Sequence, residues 1–224
     1  MSAATAPAVL DHLVYAAPDP VAAAAELAEL TGVRPRTGGS HPGRGTCNWL
    51  LGLAGPLGAG AYLELVGPDP EQPEPDGPRW FGIDALTGPR LVTWAVRATG
   101  LAARVARARA AGYDPGDAAA MGRNTPDGRR ISWELTPPCA GGGTTPFLLD
   151  WGATPHPTTA AGLPALTLEA FAAFDPDPAA ATARLTALGG RWPDAPVTAG
   201  EAGLTAVVRG PRGAVRLGRG AVAV

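Results

Sequence analysis

A strand followed by a capped helix occurs three times along this chain, and a repeated unit of that size constrains the fold more than any single motif does. Val9 to Ala16 reads as a strand; Asp19 then suits an N-cap, Pro20 the first helical position and Gly32 the helix stop. Ala23, Leu27 and Leu30 form the apolar stripe between them. Leu91 to Arg97 leads through Thr99 and Gly100 into a helix carrying Leu101, Val105 and Ala108, closed by Gly112. Leu166 to Ala172 is followed by Asp177, Pro178, the stripe Ala181, Leu185 and Leu188, and the stop Gly189-Gly190. From Leu10 to Gly32, Leu91 to Gly112 and Leu166 to Gly189 the separations are 22, 21 and 23 residues, closer than unrelated strand–helix pairs would fall.

The segments after each helix repeat as well. Gly45 to Leu53 and Ala61 to Val66 alternate as strands, with a shorter strand expected near Val33 to Thr37. Arg130 to Thr136 and Pro146 to Trp151 flank the turn Gly141-Gly142-Gly143, and Leu204 to Arg209 and Ala214 to Leu217 flank Gly210-Pro211-Arg212-Gly213. The expected fold is α+β: tandem βαβββ modules at 9–67 and 90–152 whose curled mixed sheets surround a cleft, and a third, partial module at 165–218. Pro68 to Pro78 and Thr154 to Pro164 read as surface linkers. The third module is too small to stand alone, so residues 1–224 are expected to form one body, its last sheet completing a curved partner or a homodimer contact.

Composition narrows the function. A formal net charge of −2 offers no general attraction for phosphate backbones or anionic lipid, so neither nucleic acid nor membrane is an expected partner. There is no apolar run long enough to span a bilayer, and Met1 to Ala8 lacks the basic start of a signal peptide, which predicts a cytoplasmic protein. All 18 basic residues are Arg, which excludes lysine Schiff-base and P-loop chemistry. Cys47 and Cys139 are too few and isolated for a disulfide framework or zinc knuckle, and no motif pairs Cys47 with a base, so both read as free thiols. Gly38-Gly39, Gly141 to Gly143 and Gly210 to Gly213 lack nucleotide-loop context and read as turns.

Tandem βαβββ modules opening on Leu10-Asp11-His12-Leu13-Val14-Tyr15 resemble the vicinal oxygen chelate superfamily, which holds the glyoxalase, bleomycin-resistance and extradiol-dioxygenase relatives. His41-Pro42-Gly43-Arg44-Gly45-Thr46-Cys47-Asn48-Trp49 followed by Tyr62-Leu63-Glu64-Leu65 resembles its glyoxalase-like group, and the likeness covers residues 9 to 152 best. The resemblance implies a divalent metal, Zn²⁺, Fe²⁺, Mn²⁺ or Ni²⁺, held by residues on the first and last strand of each module. Carried onto this chain, it points to His12 and Glu64, with His41, or else His156 or Asp150, reaching the cleft from a loop or across a strand bulge as a further ligand. Strand alternation groups His12 with Leu10 and Val14 on the first strand and Glu64 with Tyr62 and Val66 on the last, and the resemblance implies that these strands lie side by side with His12 and Glu64 both facing the interior. The second module departs from the pattern: aligning the terminal glycines sets Val92 opposite His12 and Leu149 opposite Glu64. A half-empty ligand set leaves the metal either present or absent.

Each residue also has a plain structural reading. His12 and Glu64 could pair with each other or with an Arg, because a lone carboxylate beside Leu63, Leu65 and Val66 is costly to bury. His41 lies in a Gly-Ser-His-Pro-Gly loop and His156 between two prolines, both ordinary surface settings. Trp49, Trp94, Trp133 and Trp151 fall in strands, where aromatic side chains fill cores or, grouped on one wall, line a pocket. Asn48, Trp49, Asp150 and Trp151 are the candidate substrate contacts, and Glu64 the candidate catalytic residue, either as ligand or as general base. Two functions are consistent with this: a metal-dependent lyase, isomerase or dioxygenase-type enzyme acting on a small metabolite, or a metal-free protein that binds an antibiotic or metabolite.

Overall fold

The computed structural model describes residues 8–138, 143–189 and 197–224. The N-terminal stretch before Ala8, Cys139, the Gly141-Gly142 part of the expected turn and Gly190 lie outside the described residues. The first unit runs β1 (Val9–Ala16), α1 (Pro20–Thr31), β2 (Arg36–His41), β3 (Thr46–Ala54) and β4 (Ala61–Pro68). Asp19 accepts from the Ala22 N–H at 2.9 Å, and Gly32 adopts φ 77° while its N–H donates to Ala28, so both ends of α1 are closed by the residues the sequence put there. The strand expected near Val33 starts later, at Arg36, because Val33 donates its N–H to Thr31 Oγ1 and stays in the turn leaving the helix.

The second unit is β5 (Arg90–Arg97), α2 (Leu101–Ala110), β6 (Ala119–Asn124), β7 (Arg130–Leu135) and β8 (Phe147–Asp150). Strand β6 has almost no strand-forming residues and forms through six register pairs with β7, from Ala119↔Leu135 to Asn124↔Arg130. The third unit is β9 (Ala165–Asp175), α3 (Pro178–Ala187), β10 (Thr198–Ala199), β11 (Gly203–Gly210), β12 (Gly213–Gly218) and β13 (Gly220–Ala223). Asp177 caps α3 by accepting from the Ala180 N–H.

These strands share one sheet, and part of it closes on itself. Strand β1 lies parallel to β4 and antiparallel to β5; β4 pairs with β3, β3 with β2, β2 with β6, β6 with β7, β7 with β8, and β8 with β5. The two units are therefore halves of a barrel, sealed on one side by β1–β5 and on the other by the single pair Ser40↔Asn124. Strand β9 docks parallel on β3 at Gly52 to Ala54, and β11, β12 and β13 extend the sheet beyond it.

Alternation sorts side chains into two apolar layers. Leu13, Tyr15, Leu51, Leu63 and Leu65 face outward under Ala23 and Leu27 of α1, Leu101 of α2 and Phe171, Leu204 and Val208 of the third unit. Val14, Ala16, Leu50, Tyr62, Val66, Trp133, Leu135, Phe147, Leu149 and Trp151 face into the barrel. The second layer forms the wall of a cavity.

Candidate functional site

The barrel interior holds a cavity of about 590 Å³, counted to its open mouth. The polar wall residues of the first unit include His12 on β1, His41 at the end of β2 and Glu64 on β4. Register brings β1 and β4 side by side, with His12↔Tyr62 and Val14↔Glu64 as partners. The Nε2 of His12 lies 3.6 Å from Glu64 Oε2, and the Nε2 of His41 lies 3.8 Å from Oε1. Asn48 Nδ2 donates to that same Oε1. All four residues are buried.

His12 is fixed by a neighbour that strand alternation hides. In the β1–β5 ladder Leu10 pairs with Val96 and His12 with Ala95, so Asp11 is an extra residue, a bulge. The bulge sends Leu10 into the outer apolar layer instead of onto the face of His12 and Val14, correcting the simple alternation. It also lets the Asp11 carboxylate, wholly buried, accept from His12 Nδ1 at 2.7 Å, Trp151 Nε1 at 3.0 Å and His156 Nε2 at 3.1 Å. Burial pushes the Asp11 pKa up, but hydrogen bonds from His12 and His156, with their charges, outweigh it and hold the carboxyl well below the usual range. With Asp11 accepting, His12 carries a proton on Nδ1 and turns Nε2 toward Glu64. The ring stacks on Tyr62 with centroids 4.7 Å apart.

His41 Nδ1 bonds Thr46 Oγ1 at 3.0 Å, and burial lowers its pKa against the opposing pull of Glu64, which keeps the ring neutral near pH 7. Tyr62 is raised well above 10 by burial first and by Asp11 and Glu64 next, so its phenol stays protonated. Cys47 is pushed up to about 11 by burial and by Asp69 and Glu71, so it is no nucleophile at neutral pH.

Two expected substrate contacts lie elsewhere. Trp49 points away from the cavity toward the outer layer and a depression bordered by Pro68 and Asp69, because its neighbours Asn48 and Leu50 face inward. Asp150 sits beside the start of α2, accepting from the N–H groups of Gly100, the N-cap residue, at 3.1 Å and of Gly152 at 2.9 Å. Asn48 and Trp151 do line the cavity, and His156 reaches inward to Asp11.

Part of the remaining wall carries no signal in the sequence pattern. Trp80 and Phe81 come from the short 3₁₀ segment Trp80–Ala85 between the first linker and β5, where Phe81 takes φ 64°, a left-handed conformation rare for an aromatic residue. Arg44 stacks on Trp80, its guanidinium 4.2 Å from the ring centroid. Met121 and Arg123 enter from β6, and Trp133, Leu135, Phe147 and Leu149 complete the wall of the second unit. Nothing in the sequence marks β6 as a strand, so nothing marks Arg123 as a wall residue either.

The donors present do not make a complete metal centre. His12 and His41 each approach Glu64, but among the described residues no three His, Cys, Asp or Glu side chains converge closely enough to hold an ion. The side of the barrel that would supply further ligands offers Leu135, Phe147 and Leu149 instead. No helix among the described residues is long and apolar enough to cross a membrane.

A family model described as a glyoxalase-like domain matches residues 10–189. A protein from Staphylococcus aureus described as hypothetical superposes with a TM-score of 0.58 at 11% identity, over 94% of this chain and 86% of that one. A triple mutant of 4-hydroxymandelate synthase from Streptomyces coelicolor gives a TM-score of 0.50 at 16% identity, over 92% of this chain and only 60% of that chain. Methylmalonyl-CoA epimerase from Mycobacterium tuberculosis gives 0.42 at 22% identity over 71% and 97%, a score too low to carry an argument. At these identities the likenesses show the fold alone. No curated protein sequence matches.

Proposed function

The chain belongs to the glyoxalase-like domain family, within the vicinal oxygen chelate superfamily, and from that premise we propose that it is a proton-transfer enzyme of the lyase or isomerase class with Glu64 as general base. One observation carries this reading: a carboxylate on the wall of an otherwise largely apolar, closed barrel, flanked by two imidazole nitrogens at 3.6 and 3.8 Å. Glu64 Oε2 would take a proton from carbon beside a carbonyl of a small bound substrate and return it to the same or the adjacent carbon. His12, oriented by Asp11, would hold its Nε2 against the oxygen that gains the proton. Asn48 fixes the other oxygen, and the aromatic wall excludes water.

The test is loss of substrate C–H signals in D₂O, followed by NMR across a panel of small carbonyl compounds. Wild-type protein should exchange at least one of them, and Glu64→Gln should slow that exchange by about 10²–10⁴-fold, the usual worth of a positioned base. Unchanged exchange in Glu64→Gln would overturn the assignment. The apolar half of the wall, Leu135, Phe147 and Leu149, favours a second reading, a protein that binds a metabolite without turning it over. Tight binding with no exchange of any compound selects it. Stoichiometric metal that survives dialysis of untagged protein and disappears in Glu64→Gln would replace both with a metal site at His12, Glu64 and His41.

A further inference from the structure

Besides Glu64, the cavity wall carries a charge with no ion-pair partner among the described residues. Arg123 lies on β6 with Met121 on the same inward face, and its side chain is 6% exposed. Its Nη1 is buried without a hydrogen-bond partner, and among the described residues no carboxylate lies within ion-pair distance of the guanidinium. The other buried arginine, Arg104, donates from Nε to the Thr99 carbonyl. A guanidinium sheds its water only at high cost unless something replaces that water, so an uncompensated one inside a barrel is a feature to explain.

Its surroundings are arranged to keep it there. Gly39, at φ 135°, has no side chain, and a Cβ at that position would overlap the Asn124 carbonyl and come within 3.3 Å of Arg123 Nη1. The glycine thus lets β2 close against β6 and leaves the guanidinium its space. Burial lowers the Arg123 pKa against the opposing pull of Tyr62 and Glu64, and all three residues line the cavity. On the next strand Trp133, paired in register with Met121, has an indole N–H that is also buried and unpartnered. A second arginine, Arg44, stands at the wall stacked on Trp80, likewise without an ion pair among the described residues.

We infer that this cavity takes a small organic monocarboxylate, its acid group paired with Arg123 and its apolar or aromatic body held among Trp80, Phe81 and Phe147. A planar guanidinium presents two parallel N–H donors that match the two oxygens of a carboxylate. Glu64 places a carboxylate at its own end of the cavity and repels an anion there, so the anion's favoured seat is the Arg123 guanidinium. The inference names the substrate class of the proposed reaction and rests on that reading only for the statement that the bound anion reacts.

The experiment titrates wild-type protein calorimetrically with benzoate and phenylacetate and with their neutral counterparts benzamide and phenylacetamide. At least one carboxylate should bind about tenfold or more tightly than its amide, as a charged hydrogen-bonded pair predicts. Arg123→Met should bring acid and amide to within about twofold of each other and, by removing an unbalanced buried charge, raise the melting temperature of the ligand-free protein. Arg123→Lys, which keeps the charge but not the fork, should retain part of the preference. Equal binding of acid and amide by wild type, a preference that survives Arg123→Met, or a lowered ligand-free melting temperature in Arg123→Met would each overturn the inference. Glu64→Gln should keep the preference for the acid. If it does while wild type exchanges no C–H, the proton-transfer reading fails and the anion site stands; exchange without acid preference gives the reverse.

Discussion

Replacing Asp11 with Asn tests whether the buried carboxylate organises the site. Asp11 accepts from three donors, His12 Nδ1 on one oxygen and Trp151 Nε1 and His156 Nε2 on the other, while Arg97 Nη1 stands at 3.9 Å. The amide keeps one acceptor oxygen, which the two donors at Oδ2 require, so its NH₂ group turns toward His12 and forces the proton on that ring from Nδ1 to Nε2. Two charge-assisted bonds become neutral ones and one is reversed, a loss of about 2–3 kcal/mol at roughly 1 kcal/mol each. In a chain of this length that lowers the melting temperature by about 5–10 °C. Asp11→Leu, which orphans all three donors, should cost about 3–5 kcal/mol. Urea unfolding from pH 3 to 7 supplies the second check. The folded pKa of Asp11 is depressed below the unfolded value of about 3.9, so its contribution is fully present above that value and is lost as pH falls through the folded one. The gap between wild type and Asp11→Asn should therefore be flat from about pH 5 to 7 and shrink below about pH 4. A loss under about 1 kcal/mol at pH 7, or a gap that widens in acid, would refute the network.

Gly38→Ala would put a Cβ onto Asn48 Oδ1 and push its amide off Glu64, so it should reduce C–H exchange and lower stability by about 1–3 kcal/mol; full activity would show that β2 can yield. In a Cys139→Ser background, Cys47 should react with iodoacetamide about a hundredfold more slowly at pH 7 than an ordinary thiol, with the rate rising until about pH 11; a plateau near pH 8–9 would contradict its burial. Truncation after Pro164 removes β9 to β13, uncovers the β3 edge at Gly52 to Ala54 and strips Phe171 from Trp94, whose rings lie 5.2 Å apart. Aggregation is the expected result, and a soluble monomer of unchanged melting temperature would count against that packing.

Features that depend on near neighbours are legible along the chain. Asp19, Pro20 and Gly32, and again Asp177 and Pro178, close helix ends through contacts a few residues long, so the helices can be placed by reading. Alternation on β4 turns Tyr62, Glu64 and Val66 to one side because the pleat has a period of two. The same period forbids Asn48 and Trp49, adjacent on one strand, from both entering the cavity, and only Asn48 does. Features that depend on distant partners came from the assembled strands. Asp11 is the extra residue where β1 bulges against β5, and the register of a bulge shows only once the two strands are paired. Strand β6, with its poor strand formers, exists because β7 pairs with it, and without β6 there is no Arg123 in the barrel. Asp150 lies outside the expected site because the Gly100 N–H, distant in sequence, and the Gly152 N–H of its own turn both meet its carboxylate. Local chemistry is written residue by residue, whereas a cavity is made by strands far apart in the chain, and its contents depend on which of them closure brings together.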